Sequence, residues 1–255
     1  MINKPVIIIL SAVYGEVAWL VDRIKKKTII KAGRRKVVLG CIAGKDVMIL
    51  VTDPGMINTV QALTSLIEYA ASKLLTVRLI IQTGCAGAFK ESGLQTGDIG
   101  IALNEIDAHL GLEPEQGGFP LTELPFSLMG KEKNIKNIYP TDQKAANLAH
   151  DALSNYFSEK NIMVKKEPFL TVSTITATEK RANDLYSHFK PCMENMEGAA
   201  SAYLGIFYDI PFLEIRCVSN IVGRRDKKLW NLSLSFERSS IAVFKFLDIF
   251  DNNNF

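Results

Sequence analysis

The chain has 255 residues, of which 47% are apolar and 22% charged; that excludes a disordered or fibrous polymer and suits one large α/β core or two small ones. Lys plus Arg number 30 against 27 for Asp plus Glu, with no long basic run, so nucleic acid is not an expected partner. Cys41, Cys85, Cys192 and Cys217 form no CxxC pair and no metal-type spacing with the three histidines; buried free thiols are expected, and no metal.

No run of about 18 apolar residues offers a membrane span. The opening MINKPVIIILSAVYGE carries one Lys, a short apolar run and then Glu16, a pattern that reads as a first core strand rather than a signal peptide. A cytoplasmic location is expected.

In chain order, the first predicted element is a strand over 6–10, apolar on both faces. A short SAVYG turn leads to Glu16, which either caps the helix beginning there or serves as a free carboxylate at the sheet edge. Strands are predicted over 36–42 and 47–51. Residues 57–73 place Ile57, Val60, Leu63, Ser65, Leu66, Ile67 and Ala70 near helical spacing. A strand over 79–81 then runs into Gly84, Cys85, Ala86 and Gly87 of IIQTGCAGAF. Small residues after a parallel strand let a ligand approach the backbone at the carboxyl edge, where such sheets bind ligands; a tight strand-to-loop turn is the plain alternative. The segment is neither GxGxxG nor a Walker loop, so dinucleotide and NTP binding lack support.

A strand over 99–103 precedes a long irregular stretch, 107–139, with Pro114, Gly117, Gly118, Pro120, Pro125 and Gly130. A loop of that length is usually functional or interfacial. A helix over 142–157 and a strand over 169–175 follow. The segment MENMEGAA opens a buried helix over 197–207, and Glu197 at its start is either a favourable first-turn charge or a ligand group in a pocket. A strand over 212–218 ends in Ser219 and Asn220, followed by Arg224, Arg225 and Asp226. These short polar residues suit hydrogen bonds aimed at a ligand, or an Asx turn with solvated charges. A last helix is predicted over 235–250. Strand–helix alternation predicts one α/β domain over 1–255, built on a central mixed, mostly parallel twisted sheet flanked by helices.

Taken in order, AVYGEV after the first strand, TDPGMINT before the long helix, IIQTGCAGAF, LQTGDI, NMEGAA and strand-plus-SN resemble the nucleoside phosphorylase and nucleosidase superfamily over about residues 6 to 250. The resemblance implies an enzyme cleaving the N-ribosidic bond of a small-molecule nucleoside without a cofactor. It implies Glu16 as the water-holding carboxylate and Met196 with Glu197 at the ribose hydroxyls. Gly84, Cys85 and Ala86 would line the sugar side. Thr176 and Ala177, within STITAT, match the segment whose backbone contacts the base. Asn220 stands where adenine-cleaving members have an aspartate, facing the five-membered ring of the purine, and Asp226 is counted with the substrate-binding positions. In the family's dimers a loop like 107–126 covers the partner's pocket, which implies a homodimer or higher homo-oligomer.

Within the superfamily, RCVSNIVGRRDKKLW is most similar to the futalosine-cleaving branch, which implies release of hypoxanthine from futalosine in menaquinone biosynthesis. Gln82 stands where phosphorylases of the hexameric bacterial type carry a phosphate-holding arginine, so water is the expected acceptor. The other readings are an adenine-cleaving methylthioadenosine/adenosylhomocysteine nucleosidase, a phosphorylase, or a non-catalytic nucleoside-binding module; a base at the water position argues against the last. Cleaving an N-ribosidic bond passes through an oxocarbenium-like state, so a carboxylate on the water, another on the ribose and a donor at N7 each answer a charge that develops in the reaction.

Overall fold

The computed structural model describes residues 4–118 and 121–251. Among them the strands are β1 (Lys4–Ser11), β2 (Lys25–Ala32), β3 (Arg35–Ile42), β4 (Lys45–Val51), β5 (Leu75–Ala88), β6 (Ile99–Asp107), β7 (Ile138–Pro140), β8 (Val164–Thr171), β9 (Met193–Asn195) and β10 (Phe212–Ile221). The helices are α1 (Ala18–Val21), α2 (Met56–Ser72), α3 (Gly130–Lys133), α4 (Gln143–Ser158), α5 (Glu179–Phe189), α6 (Gly198–Phe207) and α7 (Leu232–Ile249).

All ten strands join one mixed sheet in the order β10-β6-β8-β9-β5-β1-β4-β3-β2, with β7 on β6 and a second pairing of β10 with β5. That extra pairing closes β5, β10, β6, β8 and β9 into a ring. The parallel ladders, β1 with β4 and β5, β10 with β5, and β8 with β6 and β9, run through the middle. The hairpins β2–β3 and β3–β4 are antiparallel. The 14-residue β5 serves both parts: residues 75–82 pair with β1, residues 80–88 pair with β10, and Gly87 and Ala88 also pair with β9.

Apolar residues on both faces of the central strands bury both faces. One face, with Ile7, Ile9, Ile81 and Ile215, packs under Ala149 and Leu153 of α4 and Val243 and Phe246 of α7. The other, with Ile8, Leu10 and Ile80, packs under Leu63 and Leu66 of α2 and Ala202 of α6. No helix among the described residues is long and apolar enough to cross a membrane.

Two expectations shift, and several elements are additional. The strand read at 169–175 is β8, five residues earlier at its start; the chain leaves the sheet after Thr171, and Ile175 and Thr176 line the pocket described below. The lysine-rich β2 is an additional, largely exposed edge strand, a common guard against edge-to-edge pairing. The polar α5 and the three-residue β7 and β9 are also additional; each is too short or too polar for periodicity to reveal. The stretch 107–139 is partly ordered by the Leu112–Thr122 bridge, α3 and β7, while Pro120 lies outside the described residues.

Candidate active site

The carboxyl ends of β1, β5 and β10 converge on a cavity of about 310 Å³. Glu16 and Glu197 line it together with Cys85, Ala86, Met196 and Asn220.

Glu16 is positioned by the tight turn after β1. Its Oε2 accepts hydrogen bonds from the backbone N–H of Ala12 (2.8 Å) and Val13 (3.0 Å), and Oε1 accepts from Cys85 N–H (2.9 Å). The Ser240 hydroxyl of α7 donates to the Glu16 carbonyl. Three donors leave part of the carboxylate's acceptor capacity for a further proton donor. Burial pushes its pKa up, opposed by Arg216 and by the Cys85 and Val13 N–H groups. Gly84 is needed beneath it: its φ is +145°, and a Cβ there would stand 2.2 Å from Glu16 Oε1.

Glu197 precedes α6 as its cap residue. Its Oε1 accepts from Gly55 N–H (2.9 Å), at the start of α2, and its Oε2 from Arg216 Nη2 (3.1 Å). Its own N–H and that of Gly198 donate to Asn195 Oδ1. Of the two openings left by the sequence, the structure realises a buried, side-chain-paired carboxylate at a cavity wall; its side chain caps no helix N–H.

Arg216 is a side chain that the sequence did not point to. It is 1% exposed, bonded through Nε to Glu214 (2.7 Å), through Nη1 to the Cys85 carbonyl (3.1 Å) and through Nη2 to Glu197. Burial opposes its charge, but Glu214, Glu197 and Glu16 more than offset that and hold it cationic. The readable signal was FLEIRCV: Glu and Arg two apart, hence on one face of an otherwise apolar strand. Gly55, Asn195, Glu194 and Phe236 were missed too, since each depends on chain segments far apart in sequence.

At the other end of the cavity, the register of β10 against β5 shifts between Val218 and Asn220, a bulge that re-aims the strand end. The Ser219 hydroxyl lies 2.8 Å from Asn220 Oδ1, and Asn220 Nδ2 donates to the Ile221 carbonyl (3.1 Å), so the amide has its oxygen engaged and a second N–H left over. Thr176 lines the same end; its N–H and hydroxyl both donate to Glu194, whose pKa burial raises. Met196 joins the wall, whereas Gly84 lies behind Glu16 rather than in the lining. Two expected residues stand apart: Ala177 is exposed outside the lining, and Asp226 borders a neighbouring cavity, where it accepts from Lys228 N–H as a local cap.

Known proteins resemble the chain in sequence and in fold. The chain is 25% identical over 215 residues to the 5′-methylthioadenosine/S-adenosylhomocysteine nucleosidase of Maridesulfovibrio salexigens, covering 84% of this chain and 85% of that one. It is 28% identical over 206 residues to the futalosine hydrolase of Thermus thermophilus, covering 81% and 83%. Among solved structures, the native futalosine hydrolase of Helicobacter pylori superposes with a TM-score of 0.79 at 20% identity, covering 96% of this chain and 98% of that one. The nucleosidase of Neisseria meningitidis in complex with methylthio-immucillin-A gives 0.81 at 18% identity, covering 96% and 99%. At such identities these structures speak for the fold. The family described as the phosphorylase superfamily matches residues 6–250, and the chain belongs to it.

Proposed function

We propose that the protein is a nucleosidase that hydrolyses the N-ribosidic bond of futalosine and releases hypoxanthine. The observation that carries this reading is the placing of two buried carboxylates, Glu16 and Glu197, on one cavity whose far end presents an amide, Asn220. Glu16, ionised, takes a proton from a water that attacks the anomeric carbon. Glu197 accepts from the ribose hydroxyls and gains strength as positive charge builds on the ring. Asn220 turns its remaining N–H toward the N7 and O6 edge of the departing 6-oxopurine, where both atoms are acceptors. The chemistry is acid–base and electrostatic throughout.

Water rather than phosphate is the acceptor in this reading. Gln82 is buried away from the cavity lining and engaged by the Ser201 hydroxyl, and a neutral amide has no charged grip on an anion. The test is to incubate the pure protein with futalosine, methylthioadenosine and inosine, each with and without phosphate, and follow base release. Hypoxanthine from futalosine at a rate indifferent to phosphate is expected. Efficient adenine release from methylthioadenosine would replace the substrate assignment with that of the other named relatives, and a strict phosphate requirement would overturn hydrolysis.

A further inference from the structure

Beneath Glu197 lies a second pair of buried carboxyls that no step above uses, Glu105 on β6 and Glu214 on β10, both with no exposed surface. They crowd one point: a Cβ added to Gly198 would stand 2.2 Å from Glu105 Oε1 and 2.3 Å from Glu214 Oε2. Four buried carboxyl groups, Glu16, Glu105, Glu197 and Glu214, thus surround a single guanidinium, Arg216. One cation cannot neutralise four anions, and an uncompensated buried charge takes up a proton instead.

The hydrogen bonds say which group holds that proton. Glu16 is answered by three backbone N–H groups, Glu197 by Gly55 and Arg216, and Glu214 Oε1 by Arg216. Glu105 accepts only from neutral donors, the Thr171 hydroxyl (2.6 Å) and the Asn195 amide (2.8 Å), and no ion pair reaches it among the described residues. Glu214 Oε2, its neighbour, is buried without a partner. A proton between Glu105 and Glu214 gives that orphan oxygen a donor and removes the excess charge. Burial first, and then the neighbouring Glu214, push the Glu105 pKa well up.

Both members lead to Glu197 by separate routes. Glu214 holds Arg216, which holds the Glu197 carboxylate. Glu105 orients Asn195, which receives the Glu197 and Gly198 N–H groups, and Thr171, whose oxygen receives Ala199 N–H. We infer that Glu105 and Glu214 are a carboxylic acid–carboxylate pair sharing one proton, and that this pair is the positioning device that presents Glu197, side chain and backbone together, to the ribose. The inference rests on the nucleosidase reading for the task Glu197 performs, but not for the shared proton.

Two measurements test it. Infrared spectroscopy of the protein carrying ¹³C-labelled glutamate, at neutral pH, should show the C=O stretch of a protonated carboxylic acid, lost in Glu105→Gln; its absence from the unmodified protein overturns the pair whatever the activity. In kinetics with the nucleoside that proves to be cleaved, Glu105→Gln, which keeps a donor for Glu214 but has one acceptor fewer, should lose less kcat than Glu105→Leu, whereas Glu105→Leu and Glu214→Leu should lower kcat by about 10- to 10²-fold with KM little changed. A Gln variant as impaired as Leu, or Leu variants as active as the unmodified enzyme, would overturn the positioning role. Failure of the unmodified protein to cleave any nucleoside, with the band present, overturns the functional reading and leaves the shared proton standing.

Discussion

Glu16 and Glu197 are chemically identical side chains put to different uses by their partners. Three backbone N–H groups surround Glu16, whereas a backbone N–H and a guanidinium hold Glu197. Glu197→Gln keeps the shape but removes the charge that answers the ring cation, and kcat should fall by about 10²-fold or more with thermal stability little changed. Glu16→Gln should remove the base to a similar extent. Either variant, folded and near full turnover, would release that residue from its role. Because burial raises the Glu16 pKa and a base must be ionised, kcat/KM should fall with decreasing pH through a midpoint above the ordinary 4.5. A pH–rate profile whose acid limb lies at or below that value contradicts Glu16 as the base. At Asn220, an aspartate would turn acceptors toward both acceptors of a 6-oxopurine. Asn220→Asp should therefore cost about 1–3 kcal/mol, or about 10- to 10²-fold in futalosine cleavage, measured against methylthioadenosine on the same preparation.

At the scale of elements, the site is built where strands end irregularly. The sharp path of β5 through Gly84, the bulge in β10 at Ser219 and the capped start of α6 each redirect a short polar segment toward one cavity. Gly84→Ala should bring two penalties: a left-handed backbone that Ala resists, and a Cβ 2.2 Å from Glu16 Oε1. A loss of about 1–3 kcal/mol in stability is expected from the backbone strain. A loss of kcat larger than that of KM should follow, because Glu16 must move. Denaturant unfolding and steady-state kinetics on one variant separate the two. Wild-type kinetics in Gly84→Ala would mean that the Glu16 position tolerates displacement.

For the whole molecule, closure of five strands into a ring ties β6 and β8, which carry Glu105 and Thr171, to β10, which carries Arg216 and Asn220. Residues more than 100 positions apart are thereby held in one rigid frame, which suits a site that must be organised before the substrate arrives. Exposed apolar side chains stand outside that frame, Ile57 at 88% beside the Gly55–Glu197 contact and Phe126 at 59% in the stretch after β6. We propose that they are covered in a homodimer in which this loop reaches the neighbouring pocket. Light scattering at micromolar concentration should give twice the chain mass, and a monomer that cleaves at full rate would exclude the arrangement.

Much of this was legible in the residues themselves. Strands apolar on both faces announce a doubly covered sheet, and Glu16, Glu197 and Asn220 stand out as polar groups at the ends of apolar runs. β2, α5 and the three-residue strands were not legible, because exposed or short elements carry little periodic signal. Nor were the partners of the carboxylates. Which donors reach Glu197, from Gly55 142 positions away and from Arg216, is settled by the packing of α2, α6 and β10. The order of residues alone determined the α/β class and the polar groups at strand and helix ends. Only the closed sheet decided that four carboxyls and one arginine share a single buried region, since a charge balance of that kind belongs to a volume rather than to a segment of chain.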